Sequence, residues 1–166
     1  MKKIFIKRQL KTITSNSKIN AYPKKISNVG IILSDHRILD YNLISILKNG
    51  LGNDCKVYKI FLGKSNNEKD AFRLDKTSFS FLGKLKDDIV FETLKNLDML
   101  IDVSFKSSNI KDFALLNSNK AYKITLGSNL NEHFNLSINL ESNQMDLFAE
   151  EIIKYHKILS HEQGNI

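Results

Sequence analysis

The sequence predicts an α/β domain with one doubly wound, mostly parallel, Rossmann-like sheet of about five strands and helices on both faces. Short β-branched apolar runs alternate along the chain with segments of helical periodicity. The 166 residues suit one domain, and the 42% share of hydrophobic residues is that of a globular protein. The first 25 residues contain no acid, which predicts a basic N-terminal helix or arm before the domain.

Five short apolar segments are predicted to be strands, because small or polar residues bound each of them. They are residues 27–34, 56–62, 98–103, 121–126 and 134–140. The last segment alternates strictly between apolar and polar residues, which indicates a strand with one wet face at an edge of the sheet. Phe79, Phe81 and Leu82 could add a short strand. Residues 63–78 are charged and weakly patterned and are predicted to be a loop.

Helical spacing of apolar residues predicts a first helix over residues 39–47, which Asn49 and Gly50 would close as a C-terminal cap. A second helix is predicted over residues 87–96. Three apolar side chains of this second helix are expected to face inward: Ile89, Val90 and Leu94.

A third helix is predicted over residues 110–116, with Ser107 or Ser108 as its N-terminal cap. Strands and helices in this order are typical of a doubly wound parallel sheet. Right-handed crossovers would then cover both faces of the sheet with helices.

The last helix, about residues 143–160, shows the clearest pattern, with apolar residues at i, i+4, i+7 and i+11. These residues are Phe148, Ile152, Tyr155 and Leu159. Glu150 and Lys154 are expected to pair at i, i+4 on the opposite side of the helix.

The formal net charge of +7 is concentrated at the N-terminus. Residues 1–25 hold eight bases and no acid: Lys2, Lys3, Lys7, Arg8, Lys11, Lys18, Lys24 and Lys25. The remainder holds seventeen bases and eighteen acids, so it is almost neutral. We therefore expect a basic arm over residues 1–25, an α/β domain over 26–162 and a disordered tail over 163–166.

The eight bases of the arm are the candidate nucleic-acid-binding residues, because cations without nearby acids attract phosphate in a salt-sensitive way that is largely independent of sequence. Residues 3–14 can form an amphipathic helix, with Ile6, Leu10 and Ile13 on one face and a parallel stripe of lysines. Such a helix can lie on RNA or a ribonucleoprotein, on an anionic membrane surface, or against an acidic protein. Alternatively, its apolar face packs on the domain and the lysines only solvate it.

The carboxyl ends of the predicted strands form the candidate ligand site, because ligands of doubly wound sheets bind there. The candidate catalytic residues are Asp35, His36 and Asp102, with His36 able to act as an acid or base beside a carboxylate. The candidate ligand-binding residues are Ser34, Asp35, Ser104 and Ser128. Such a crevice could take a sugar or a nucleotide. Alternatively, Ser34 and Asp35 cap one helix, Ser107 caps another, and Asp102 is a solvated strand end.

The sequence lacks the standard cofactor and metal motifs. The Gly50-Leu51-Gly52 segment follows a helix and lacks the third glycine of a dinucleotide loop. The Gly63-Lys64-Ser65 segment lacks the upstream glycine of a phosphate-binding loop. The four histidines show no metal-ligand spacing. We therefore expect no cofactor and no metal, and the chain is interpreted as a binding protein more readily than as an enzyme.

The single cysteine, Cys55, cannot form an internal disulfide, which suits a reducing compartment. It is interpreted as a small buried side chain and not as a nucleophile. His156 and His161 are interpreted as surface residues near a helix C-terminus.

No apolar run approaches the ~20 residues of a membrane-spanning helix, and no export signal is recognisable, so we expect a cytoplasmic protein.

Short segments spread along most of the chain carry a family resemblance. They are Phe5-Ile6-Lys7-Arg8, Val29-Gly30-Ile31-Ile32, Phe79-Ser80-Phe81, Asp98-Met99-Leu100-Ile101-Asp102, then Ser118, Ala121 and Gly127, and finally Phe148, Glu151, Ile152, Lys154, Tyr155 and Leu159. Together they resemble a family of uncharacterised bacterial proteins, known mainly from Bacteroidetes, that shares a domain of unknown function. The resemblance implies a cytoplasmic protein of this length and supplies no activity.

A weaker likeness covers about a third of the chain. Residues Asp98 to Asp102, followed by Ser107 and by Ala121 to Gly127, are similar to the acceptor-side, N-terminal half of heptosyltransferases. The nucleotide-sugar half of such enzymes has no counterpart here, so the likeness implies a shared fold and no shared function.

Three functional interpretations follow. The first is a non-enzymatic cytoplasmic binding protein whose basic arm contacts RNA or a ribonucleoprotein. The second is a small enzyme or ligand-binding domain that uses the crevice at the strand ends. The third is a peripheral membrane or scaffold protein docked by the basic arm.

Overall fold

The computed structural model describes residues 20–34, 41–63, 71–105, 107–127 and 133–162. Several predictions lie outside these ranges: the amphipathic helix over 3–14, the disordered tail over 163–166, and the positions of Asp35, His36 and Ser128.

The described residues form one sheet of six strands, and every pair of neighbouring strands is parallel. The strands are β1 (Asn28–Leu33), β2 (Lys56–Leu62), β3 (Ala71–Leu74), β4 (Met99–Asp102), β5 (Tyr122–Leu126) and β6 (Leu136–Ile138). Their order across the sheet is β3-β2-β1-β4-β5-β6, so the winding reverses between β1 and β4. The predicted doubly wound, Rossmann-like fold is confirmed.

In the described ranges, four helices cover the sheet, together with a short 3₁₀ turn. They are α1 (Leu43–Leu51), α2 (Asp88–Lys95), α3 (Asn109–Asn117) and α4 (Met145–Glu162), and the 3₁₀ turn is Lys76–Ser78. Helices α1 and α4 pack on one face of the sheet, and α2 and α3 pack on the other. Each face therefore buries its own apolar cluster, as expected for a sheet that is covered on both sides.

Strand β3 corrects the prediction of a loop over residues 63–78. It pairs along β2 from Lys59↔Ala71 to Leu62↔Leu74, and the Leu74 side chain is fully buried. An edge strand needs only one partner, and pairing with β2 stabilises a charged segment whose own pattern is weak. The suggested extra strand at residues 79–82 is reduced to a single antiparallel bridge between Phe79 and Leu85.

Helix α1 ends later than predicted, because Gly50 lies inside the helix. A methyl group at Gly50 would collide with the side chain of Ile153 on α4, so this glycine allows the two helices to approach closely. The cap is Gly52, whose φ of 121° lies in the left-handed region and whose N–H donates to the Lys48 carbonyl at 3.0 Å. The predicted Asn49-Gly50 cap is therefore wrong.

Side-chain burial corrects two details of the other helices. In α2, Val90 and Leu94 are buried as predicted, but Ile89 is 74% exposed. In α4, Phe148 and Ile152 are buried as predicted, whereas Tyr155 is 39% exposed. At both sites, neighbours at i, i+3 and i+4 set the buried face, and a residue at its margin turns to solvent.

The ion pair on α4 also differs from the prediction. The Lys154 ammonium pairs with Glu151 at i, i+3 in the described structure, where Glu150 was expected at i, i+4. Both spacings bring side chains together on a helix surface, so the sequence alone does not choose between the two glutamates.

Candidate functional site

The carboxyl-end crevice, as we call the surface beyond the carboxyl ends of β1 and β4, lies at the point where the winding reverses. The structure brings Ser34, Asp102 and Ser104 together there, and the Ser34 hydroxyl donates to the Ser104 carbonyl at 2.8 Å. Asp35, His36 and Ser128 lie outside the described residues, so their part in this predicted site stays a prediction.

Asp102 is buried in an ion pair and is not the solvated strand end of the alternative interpretation. Its side chain is 3% exposed, and Oδ2 accepts from the Lys111 ammonium at 2.9 Å. Oδ1 accepts from the Ser104 backbone N–H at 2.9 Å and from the Ser104 hydroxyl at 2.6 Å. Both carboxylate oxygens are thus engaged by groups of the chain itself, which stabilises the turn from β4 to α3.

Lys111 is a site residue that the sequence reasoning missed. It is the only base within α3, and it lies one turn from the Ser108 cap, whose hydroxyl accepts from the Lys111 N–H at 3.1 Å. A carboxylate at the end of a buried strand requires a cation or several donors. That requirement was the available signal, and it points to a base in the first turns of the following helix.

A groove of about 410 Å³ lies at the start of α3, beyond the carboxyl ends of β2 and β3. Among the residues that line it are Gly63, Lys76, Thr77, Ser107 and Ser108. Of the two predicted caps of α3, Ser108 is confirmed, and the exposed Ser107 lines the groove instead.

Asp75 closes one side of the same groove as the cap of the 3₁₀ turn. Burial alone would raise the pKa of its carboxyl group, but hydrogen bonds from Thr77 and Arg73 outweigh that effect and lower the pKa to about 2. The carboxylate therefore stays ionised and fixes the turn that carries Lys76.

Phe105 projects from the crevice into solvent. Its φ of 52° lies in the left-handed region, and its side chain is 52% exposed. A bulky residue in this conformation costs roughly 1–3 kcal/mol. Ser104, which precedes Phe105, is held by its hydrogen bonds to Asp102. The buried ion pair of Asp102 therefore stabilises the segment that contains the strained residue.

The amino ends of the strands are crossed by a strap, which we define as residues 20–27. At its start, the Asn20 amide donates to the carbonyls of Asn119 and Ala121, and the Asn135 amide donates to the Asn20 carbonyl at 3.1 Å. At its end, the Asp98 carboxylate accepts from the N–H groups of Ser27 and Asn28 at 2.8 and 2.9 Å.

Tyr22 anchors the middle of the strap. Its ring is 8% exposed and packs edge-to-face on Tyr122, with centroids 4.9 Å apart. Its hydroxyl is hydrogen-bonded to Nδ1 of His156 on α4 at 2.6 Å. The structure thus corrects the interpretation of His156 as a surface residue, because the ring is half-buried under the strap.

An amino-end groove of about 420 Å³ lies between the strap, the end of α1 and the last turns of α4. Lys24, Lys25, Asp54, Cys55 and His156 are among its lining residues. Both lysine side chains are exposed, and neither forms an ion pair with any residue in the described ranges. This groove therefore presents two solvent-facing cations where the chain leaves the predicted arm.

Cys55 is buried, as predicted, and lies on the floor of this groove. Burial raises the pKa of its thiol, and the nearby Asp98 carboxylate raises it further, against a smaller opposing effect of Lys48. A thiol in these surroundings stays protonated, which supports its interpretation as a packing residue.

Burial under the strap lowers the pKa of His156 below its ordinary value of 6.5. Because the pKa of this base is lower in the folded state, the folded protein has its full stability above pH 6.5 and loses part of it as the pH falls from 6.5 through the lower pKa of the folded state. We expect the unfolding free energy to drop more between about pH 7.5 and 5.5 in the parent chain than in His156→Gln, which still offers Tyr22 an acceptor. Urea denaturation at both pH values measures the difference, and equal losses in the two proteins would contradict the assignment.

Neither a metal cluster nor a membrane span is found in the part of the chain that the structure describes. No group of three or more histidine, cysteine or acidic side chains there could hold a metal ion. No helix there is long and apolar enough to cross a membrane.

The fold and the two ends of the sheet can now be compared with known proteins. Residues 2–159 match a family of unknown function (DUF6913). The chain belongs to this family. Because the match covers nearly the whole chain, the strap, the groove at the start of α3, the buried ion pair and every lining residue of the amino-end groove except Ser160 lie within the DUF6913 region. Neither the curated proteins nor the solved structures compared with the chain contain a match.

Proposed function

We propose that this DUF6913 protein binds a phosphate-rich polyanion, RNA or a ribonucleoprotein, through its basic arm and the amino-end groove. The observation that carries the proposal is the pair of exposed lysines, Lys24 and Lys25, at the groove where the strap continues into the arm. Cations that lack intramolecular carboxylate partners gain most from contact with phosphate, because no ion pair must be broken first.

The strap supports this proposal by fixing Lys24 and Lys25 on the surface of the domain. Asn20 is tied to residues at the amino ends of β5 and β6, and Tyr22 is tied to α4. The six remaining bases of the arm precede this anchored point in the chain, so Lys24 and Lys25 extend the same positive charge onto the domain surface. A binding surface of this kind needs no catalytic group, and the proposal is of a non-enzymatic protein that acts in the cytoplasm.

The proposal is tested with two sets of charge-changing variants and a labelled single-stranded RNA. One set replaces the six bases between residues 2 and 18 with glutamine, and the other is the double variant Lys24→Glu/Lys25→Glu. We expect each to weaken RNA binding at least about tenfold at moderate salt, measured by fluorescence anisotropy. A deletion of residues 1–25 is less suitable, because it removes the buried Tyr22 and would unfold the strap.

The matched control is the double variant Lys84→Glu/Lys86→Glu. These lysines are also exposed, and they lie just before α2, near the carboxyl ends of the strands and far from the amino-end groove. We expect their reversal to change RNA affinity less than about threefold. Equal weakening by both pairs would show that net charge alone governs binding. Unchanged affinity in both arm variants would refute the proposal.

Anionic vesicles separate RNA from the membrane alternative. Co-sedimentation with phosphatidylserine vesicles and the absence of RNA binding would favour the peripheral membrane protein that the sequence also allows. RNA binding without co-sedimentation is the result expected here.

A second candidate function rests on the groove of about 410 Å³ beyond the carboxyl ends of β2 and β3. Its lining combines the hydroxyls of Thr77, Ser107 and Ser108 with the Lys76 side chain, which suits a small ligand with an anionic group, such as a sugar phosphate or nucleotide. A thermal-shift screen of sugar phosphates and nucleotides tests it, with Lys76→Gln as the comparison, and no stabilisation at millimolar ligand would discard it.

A further inference from the structure

Helix α4 carries three large apolar side chains, interspersed with charged residues, on the exposed face that no other described element covers. Of the eight large hydrophobic side chains exposed among the described residues, Leu147, Tyr155 and Ile158 lie on this helix. A fourth, Tyr41, lies near the start of this helix, because the N–H of the following Asn42 donates to the Asp146 carboxylate at 2.8 Å. Exposed apolar side chains grouped on one surface are typical of a protein contact.

The order of side chains along this face is self-complementary. Leu147, Glu151, Lys154 and Ile158 follow one another at spacings of four, three and four residues, which is the spacing of a coiled-coil seam. The seam therefore has an apolar residue at each end and one acid and one base between them. A two-fold axis through its centre would place Leu147 against Ile158 of the second copy, and Glu151 against its Lys154.

We propose that α4 forms the contact of a homodimer, in which two copies of the helix pack antiparallel along the seam Leu147, Glu151, Lys154 and Ile158. The contact is isologous, since each copy supplies the same surface. Charge complementarity selects the antiparallel arrangement, because parallel helices in register would place Glu151 on Glu151 and Lys154 on Lys154. The existing ion pair between Glu151 and Lys154 within each helix would be shared with the second copy.

The two tyrosines extend the contact beyond the seam. Tyr155 is 39% exposed on one flank of α4, and Tyr41 is 37% exposed near the start of the helix. Nine residues separate Asp146 from Tyr155, which places them on opposite sides of the helix, so the two tyrosines border the seam on its two flanks. Tyrosine is enriched in protein interfaces because its ring is apolar and its hydroxyl remains hydrated.

We expect a weak dimer, because its contact surface is small and is already exposed to solvent in the monomer. A contact made by one helix pair and its flanks buries about 1,000 Å² or less, at the lower end of specific interfaces. We therefore expect dissociation in the micromolar range, measured by sedimentation velocity of the full chain between about 5 and 200 µM.

Charge reversal tests the pairing directly. Glu151→Lys alone and Lys154→Glu alone each place like charges opposite one another, and we expect each to weaken dimerisation at least about tenfold. The double variant Glu151→Lys/Lys154→Glu restores opposite charges at both positions and should dimerise as the parent does. Failure of the double variant to recover, while its circular dichroism matches the parent, would overturn the proposed register.

Cysteine cross-linking tests the direction of the helices. An oxidised mixture of Leu147→Cys and Ile158→Cys chains should give the mixed disulfide, whereas each variant alone should give little. The native Cys55 is buried and is mutated to serine in both chains to remove its contribution. Cross-linking of each variant with itself would indicate a parallel pair and overturn the proposal. A parent chain that stays monomeric at all concentrations would also overturn it and would leave the face to another occupant, such as residues 3–14 of the arm.

Discussion

Lys111→Met is expected to destabilise the protein by about 3–5 kcal/mol, because it leaves the Asp102 carboxylate buried without its cation. The ion pair joins the end of β4 to α3, and the Asp102 side chain is 3% exposed. Ser104 alone then has to stabilise the full negative charge. Urea denaturation at neutral pH measures the loss as a lower transition midpoint.

Two further variants show whether the loss in Lys111→Met comes from the unpaired charge of Asp102. The first removes both charges, and the second is a control at an exposed ion pair. Asp102→Asn/Lys111→Met removes both charges and keeps an oxygen that accepts from Ser104, so it should recover most of the stability. Lys95→Met removes the exposed partner of Glu92 on α2 and should cost less than about 0.5 kcal/mol. If Lys111→Met costs no more than Lys95→Met, the ion pair does not hold the β4–α3 turn.

Lys123→Met is expected to have the opposite effect and to stabilise the protein at neutral pH by about 1–2 kcal/mol. Lys123 lies on β5 and is 8% exposed, beside Leu100 of β4 on the face covered by α3. Its ammonium has no hydrogen bond or ion pair with any residue that the structure describes. Burial lowers the pKa of this lysine to about 8, which is the sign of a charge that is poorly stabilised in the folded state.

The gain in stability from Lys123→Met is expected to depend on pH. Below pH 8 the buried lysine is charged and carries its full desolvation cost, so the gain from Lys123→Met is largest there. Between pH 8 and the ordinary lysine value of 10.5 the folded chain releases the proton and the gain disappears. Lys120→Met, a change at an exposed lysine three residues earlier, is the control with no expected gain. A loss of stability in Lys123→Met would contradict this account.

The regular elements with strong local patterns could be predicted from the sequence. Strand β2 occupies Lys56–Leu62, which is the predicted range, because its β-branched and aromatic residues fit a buried strand and small or charged residues bound it. The edge position of β6 followed from its alternation. Strand β3 could not be predicted, because its stability comes from pairing with β2 and burying Leu74, and neither is visible in a charged segment.

Glycines show a second limit of local reasoning. Gly50 and Gly52 are equally acceptable as helix caps in sequence, and only the contact of Gly50 with Ile153 decides between them. That contact joins α1 to α4, which are about a hundred residues apart in the chain. Tertiary packing therefore overrides the local signal.

The candidate site was predictable at one end of the sheet and unpredictable at the other. The meeting of Ser34, Asp102 and Ser104 follows from parallel topology, because carboxyl ends of neighbouring strands share an edge. The amino-end groove depends on the bond between Tyr22 and His156, which are 134 residues apart. No periodicity or motif connects residues this far apart, so the position of the strap is known only from the structure.

The salt dependence of RNA affinity tests the proposed function most directly. For a single-stranded RNA, log K should fall linearly with log salt concentration with a slope of about −0.7 for each phosphate contact. If the arm and the amino-end groove bind together, the full chain should show a slope of about −3 to −6, and Lys24→Glu/Lys25→Glu should flatten it by at least one unit. A slope near zero in the full chain, or one that this variant leaves unchanged, would contradict the account.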